Sequence, residues 1–197
     1  VKGRYLLVCD HASNAMVERE HHTAYDIGAA GVTRRLAELL DAPAIYSSVS
    51  RLIIDCNRTP AADDPNVAAY FTPYHDAIEA AVEKMVDPVF LSIHSMTPEL
   101  DGVARPWQIA LSSYTDRRLT DPVLAALRAP GDITVGDNEP YDIDPAVDYT
   151  TPVHAIRRGL LHLQVEFRQD EVATEAGQLW WAERFAAALT RVAIQAQ

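Results

Sequence analysis

A chain of 197 residues, 48% hydrophobic and 23% charged, has the size and composition of one globular domain with a sizeable core, which excludes a disordered or low-complexity polypeptide. Its formal net charge of -11 argues against nucleic acid or an anionic membrane as partner, since both are bound through clustered Lys and Arg. With two cysteines, no apolar leader behind a basic start and no apolar run of about 18 residues, the expected setting is cytoplasmic, without a disulfide framework.

Strand-like and helical patterns alternate along the whole chain. The apolar run YLLVC, residues 5–9, predicts a first strand. Ile27, Val32, Leu36, Leu39 and Leu40 then recur at helical spacing. A second strand is expected over 44–48, with a continuation through Leu52 to Asp55, before a loop over 57–65 dense in Pro, Asp and Thr. Ile78, Val82 and Met85 mark a helix, 89–94 a strand and 95–106 another loop. Further strands are expected at 108–112, 133–136 and 161–167. Leu179, Phe185, Leu189 and Val192 outline a closing helix, in which Trp180 and Trp181 are read as core packing. Cys9 and Cys56 sit beside apolar runs and are read as buried thiols. The alternation predicts an α/β sheet with helices on both faces.

In such sheets ligands bind where loops leave the carboxyl ends of strands. Five polar clusters fall at predicted strand ends: Asp10-His11, Asp55 to Arg58, His94-Ser95, Asp137 to Glu139, and Glu166 to Arg168. Their convergence on one cleft is the expectation. His11 and His94 each end an apolar strand and suit metal ligation, and a catalytic zinc usually takes three protein groups. Asp26, Asn14 and Asp10 are the candidates for the third. Glu166, in LHLQVEFRQD, suits a general base, against the alternative of an ion pair with Arg168 or another basic residue. In SRLIIDCNR, Arg51 and Arg58 offer planar donors for carboxylates, with Asp55 placed to orient one guanidinium and Asn57 able to donate to a carbonyl. His154 is read as a substrate contact or a helix-surface residue. His21 and His22 are read as solvated, His75 as at the surface or partly buried on its helix, and His162 as structural. No glycine-rich phosphate loop or G-x-S-x-G motif is present.

Taken together, CDHASN, YDIGA, SRLIIDCNR, SIHSMTP, DGVARPW, GDNEPY and VEFRQD resemble the N-formylglutamate amidohydrolase family over residues 6–170. The resemblance implies a single domain built as a three-layer α/β/α sandwich with a central mixed, mostly parallel sheet, related to zinc carboxypeptidases and aspartoacylases. It implies metal-assisted hydrolysis of a small N-acyl amino acid such as N-formylglutamate, with a divalent metal, zinc, as cofactor and no macromolecular substrate, by a monomer or small homo-oligomer. It makes His11 and His94 the metal histidines, Glu166 the catalytic carboxylate and Arg51 the group that polarises the scissile carbonyl. Asn57 and Arg58 resemble the Asn-Arg pair that holds a substrate carboxylate. Carboxypeptidases place a Glu ligand three residues after the first His, where this chain has Asn14, so Asp26 is favoured as third ligand or as partner of His11. The segment between Arg58 and the helix containing His75 reads as shorter than is usual in the family, which bears on substrate choice. The rival expectations are hydrolysis of another N-acyl amino acid, or a metal-free module that binds an acidic amino acid.

Overall fold

The computed structural model of the chain describes residues 3–17 and 23–195. Its elements, in chain order, are β1 (Tyr5–Cys9), α1 (Ala29–Leu40), β2 (Ala44–Tyr46), α2 (Thr72–Lys84), β3 (Val89–Met96), β4 (Glu99–Leu100), β5 (Val103–Ala104), β6 (Ile109–Ser112), α3 (Thr120–Arg128), β7 (Val135–Asp137), α4 (Thr150–His154), β8 (His162–Arg168), α5 (Gln169–Val172) and α6 (Glu175–Gln195). One sheet runs in the order β2-β1-β3-β8-β6-β7, parallel except between β8 and β6. It is a mixed, mostly parallel α/β architecture, as expected. No helix of the described residues is long and apolar enough to cross a membrane.

Both faces of the sheet are covered. Leu7, Leu91, Ile93, Leu163, Val165 and Phe167 form one apolar layer with Val32 and Leu36 of α1, Val123 and Leu127 of α3, and Trp181, Phe185 and Leu189 of α6. Leu6, Val8 and Phe90 pack on the other face against Tyr74, Ile78 and Val82 of α2. Strand side chains alternate between faces, so Ser92 and His94 of β3, and Gln164 and Glu166 of β8, continue this second face past the apolar cluster. Burying a polar row of this kind requires partners. Those partners build the site.

Several expectations are corrected. The strand from Ala44 ends at Tyr46, and the apolar stretch through Ile54 turns instead, with Ile53 and Ile54 donating to the Ser50 carbonyl and Ile54 packing beside Val49 and Phe71. The 95–106 stretch is not all loop: β3 runs on to Met96, and β4 and β5 form an antiparallel hairpin. Helix α3, unassigned from sequence, is a short element that buries Val123, Leu124 and Leu127. Trp181 is buried as expected, whereas Trp180 is 45% exposed. Cys9 and Cys56 are free and buried. His21 and His22 lie outside the described residues.

Candidate active site

His11 follows β1 directly, and Asp26 lies on the connection from β1 to α1. The backbone N–H of Asp26 donates to the His11 carbonyl at 2.9 Å, which clamps the two together. Gly28 then turns the chain into α1 at φ 80°, and a Cβ there would run into the Val172 carbonyl oxygen. Only glycine meets both demands. His94 projects from β3, and Glu166 is its in-register neighbour on β8.

These segments bring His11, Asp26 and His94 into one buried group with ligand atoms within 4.8 Å of one another. Nδ1 of His11 lies 3.4 Å, and Nδ1 of His94 3.0 Å, from Oδ2 of Asp26. Two ligands held tetrahedrally about 2.0–2.1 Å from a zinc ion stand roughly 3.3 Å apart, so the donor set fits a metal of that kind. The outward nitrogens agree. Nε2 of His11 meets Oδ1 of Asp55 at 2.8 Å, and Nε2 of His94 meets Oδ2 of Asp10 at 3.2 Å and the Ser92 hydroxyl at 3.0 Å. A carboxylate behind each ring holds the proton on Nε2 and leaves the Nδ1 lone pair facing inward, the tautomer a metal ligand needs.

Asp10, one of the alternatives for third ligand, stands behind His94 and is held by the Tyr74 and Thr150 hydroxyls at 2.8 and 2.7 Å. Burial opposes its ionisation, yet hydrogen bonding to His94, the charges of both histidines and the Thr150 bond hold its carboxyl far below the usual range. Asn14, the other alternative, is not among the residues lining the cavity. Asp55 supports His11 and makes no direct ion pair with an arginine of the described residues, although its charge acts on Arg51 and that of Arg58 acts on it. Burial pushes the His11 imidazole down despite Asp55, whereas for His94 the Asp10 hydrogen bond and the Glu166 charge outweigh burial and raise it.

The group opens into a cavity of about 390 Å³, the size of a small-molecule site. Glu166 lines it, is 5% exposed and accepts no hydrogen bond from any described residue. Burial raises its carboxyl pKa, against the pull of His94, His11, Arg51 and Arg105. The alternative pairing with Arg168 does not form, because Arg168 binds Asp170 and Glu171. Arg51 lines the cavity with a guanidinium in contact with Asp26 and a buried Nε that has no partner.

Asn57 and Arg58 also border the cavity, but the loop after β7 engages both. Oδ1 of Asn57 accepts from the backbone of Tyr149 and Thr150, and its Nδ2 donates to Asp148 at 3.3 Å. Nη1 of Arg58 donates to the Asn57 carbonyl and to Asp148, at 2.8 and 2.6 Å. His154 is placed elsewhere. It is buried behind the site and absent from the cavity wall, with Nε2 2.9 Å from Nδ1 of His75, so the expected substrate contact is corrected to an internal histidine pair.

Of the five strand-end clusters, the one at Asp137 to Glu139 does not reach the cavity wall. β7 runs with β6, opposite to β8, so its carboxyl end lies at the other edge of the sheet, where Asp137 pairs with Arg117. The returning loop nonetheless delivers Tyr141, Asp142, Asp144 and Asp148 to the wall. The wall residues given no role from sequence include Arg105 and Gln164, the latter 5% exposed with a buried Oε1 that has no hydrogen-bond partner among the described residues. The period-two spacing of Gln164 from Glu166 is the signal that points to it.

The same architecture occurs in solved structures. Gene product Atu2144 from Agrobacterium tumefaciens is 29% identical with a TM-score of 0.90, the match covering 98% of this chain and 92% of that one. N-formylglutamate amidohydrolase from Ralstonia eutropha JMP134 is 17% identical with a TM-score of 0.70, covering 99% and 94%. N-acetylmuramoyl-L-alanine amidase AmiC2 of Nostoc punctiforme is 15% identical with a TM-score of 0.55, covering 97% and 98%. No curated protein sequence matches the chain. Fold and family likeness define an α/β hydrolase of amide bonds. The chain belongs to the N-formylglutamate amidohydrolase family, whose model matches residues 4–68 and 62–173.

Proposed function

We propose that this protein is a metal-dependent amidohydrolase that removes the N-acyl group, formyl in the first instance, from a small carboxylate-bearing amino acid. The observation that carries this reading is the pair of histidines with inward Nδ1 atoms, each backed by a carboxylate, beside a buried Glu166 that has no hydrogen-bond partner among the described residues. His11, Asp26 and His94 would hold the metal, zinc by donor type, which when bound supplies Lewis-acid polarisation of the acyl carbonyl and acidification of a water.

The chain's own residues do the rest. Glu166 takes a proton from the attacking water and passes it to the departing amine nitrogen as the C–N bond breaks, giving a carboxylic acid and a free amino acid. Its burial raises its proton affinity, which suits a group that must hold and then release that proton. Arg51, whose buried Nε has no partner, faces the oxyanion that develops on the carbonyl. Among the described residues Arg58 spends only Nη1 on protein acceptors, and it offers its remaining donors to the substrate's α-carboxylate, while Asn57 fixes the loop that positions it.

The test is metal analysis of the purified protein, with hydrolysis assayed on N-formyl, N-acetyl and N-succinyl amino acids before and after chelation. Stoichiometric metal and chelator-sensitive cleavage are expected. A protein with neither is a binding module and not a hydrolase, and cleavage confined to acetyl or succinyl compounds replaces the formyl assignment.

A further inference from the structure

Three arginines line the cavity, and their charges are met differently. Arg51 pairs with Asp26 and Arg58 with Asp148. Arg105 is 7% exposed and pairs with no carboxylate of the described residues. Its Nη1 donates to the carbonyl and hydroxyl of Thr97 at 3.5 and 3.2 Å, and its Nη2 to the Tyr141 hydroxyl at 2.7 Å. The guanidinium also lies over the Tyr141 ring, 5.0 Å from its centroid.

Its hydrogen bonds among the described residues are all to neutral dipoles, and the charge of Glu166 across the wall acts on it without an ion pair; a low-dielectric wall then makes an incoming anion the favoured direct partner of such a cation. The contacts also fix the fork in one orientation, so little rotamer entropy remains to be lost on binding. A carboxylate suits that fork. The cavity is small, and Arg105 shares its wall with Glu166 and Arg58, so any anion it holds belongs to the same molecule that presents its amide to Glu166.

We infer that Arg105 is the subsite for a second carboxylate, the side-chain carboxylate of an N-acylated acidic amino acid, distinct from the α-carboxylate subsite at Arg58. The assignment rests on the hydrolase reading above and names the residue that would select an acyl dicarboxylic amino acid over its side-chain amide.

The experiment compares N-formylglutamate with N-formylglutamine, which differ only in that side-chain group, in the wild-type protein and in Arg105→Gln and Arg105→Lys. A charge-assisted hydrogen bond in a buried site is worth about 10- to 100-fold, so the wild type should favour N-formylglutamate by roughly that ratio in kcat/KM. Arg105→Gln should bring the ratio to about 2 or below, mainly by raising KM for N-formylglutamate, and Arg105→Lys should fall between. A ratio unchanged in both variants overturns the inference, as does a wild type without preference. Glutamate binding by calorimetry gives a readout independent of turnover. Weaker binding in both variants by a protein that cleaves nothing keeps the Arg105 subsite and defeats the hydrolase reading, whereas undiminished binding defeats the subsite.

Discussion

His94 and Glu166 are in-register neighbours on adjacent parallel strands, β3 and β8, with both side chains on the cavity face. Adjacent strands lie about 4.8 Å apart, so the sheet itself sets the spacing between a metal-ligand candidate and the base candidate. Loops contribute Asp26 and Arg51, but the acid-base element belongs to the two central strands of the sheet.

Replacing Glu166 by Gln keeps that side chain's volume and place and removes its proton affinity. Turnover should fall about 10²- to 10⁴-fold, with metal content unchanged by elemental analysis. Loss of the metal along with the activity would make Glu166 a ligand instead.

Asp55 acts one step further out. Its Oδ1 fixes the Nε2 proton of His11 at 2.8 Å and also accepts from the backbone of Asn57. In Asp55→Ala the ring is freed to rotate and change tautomer, and metal affinity should drop roughly 10- to 100-fold. Competition with a chelating indicator measures this, and an affinity equal to wild type would show that the carboxylate does not orient His11.

What the sequence discloses and what it hides follows from strand direction. His11, His94 and Glu166 end apolar strands, and parallel pairing places such ends together, so their convergence is legible in residue order alone. Arg105 escapes that logic. It precedes β6, which runs antiparallel to β8, so the start of this strand lies at the end of the sheet where the others finish. The same reversal takes Asp137 away from the site. The His75–His154 contact joins residues 79 apart on two helices whose apolar spacing says nothing of the pairing. Helix α3 is missed because nine residues give the periodicity too few turns to stand out.

Gly28 tests the connection that delivers Asp26. An alanine there must adopt φ near 80° and place its Cβ against the Val172 carbonyl, and neither the turn nor α5 can give way without moving the other. Gly28→Ala should destabilise the fold by about 3 kcal/mol, a fall of about 6–12 °C in Tm. A thermal midpoint within a degree or so of wild type would mean that the turn relaxes freely.

The histidine pair behind the site makes stability depend on pH in a defined window. Nε2 of His75 donates to the Cys56 carbonyl at 2.9 Å, so its Nδ1 accepts from Nε2 of His154, and the buried Nδ1 of His154 makes no hydrogen bond among the described residues, with Oε2 of Glu79 3.4 Å away. Burial, and then the neighbouring His75, hold the His154 imidazole down to about 4, against the pull of Glu79, while burial also lowers His75. Because the folded pKa lies below the unfolded value of 6.5, the unfolded chain binds a proton first as pH falls. Stability is therefore complete above pH 6.5, declines from there down to about pH 4, and is not lowered further by this group once both states are protonated. His154→Gln removes the titration, so its Tm should fall less than that of the wild type between pH 7 and pH 4.5, whatever its starting value. Parallel Tm curves for the two proteins would show that His154 is protonated equally in folded and unfolded chains, and that the tautomer assigned to the pair is wrong.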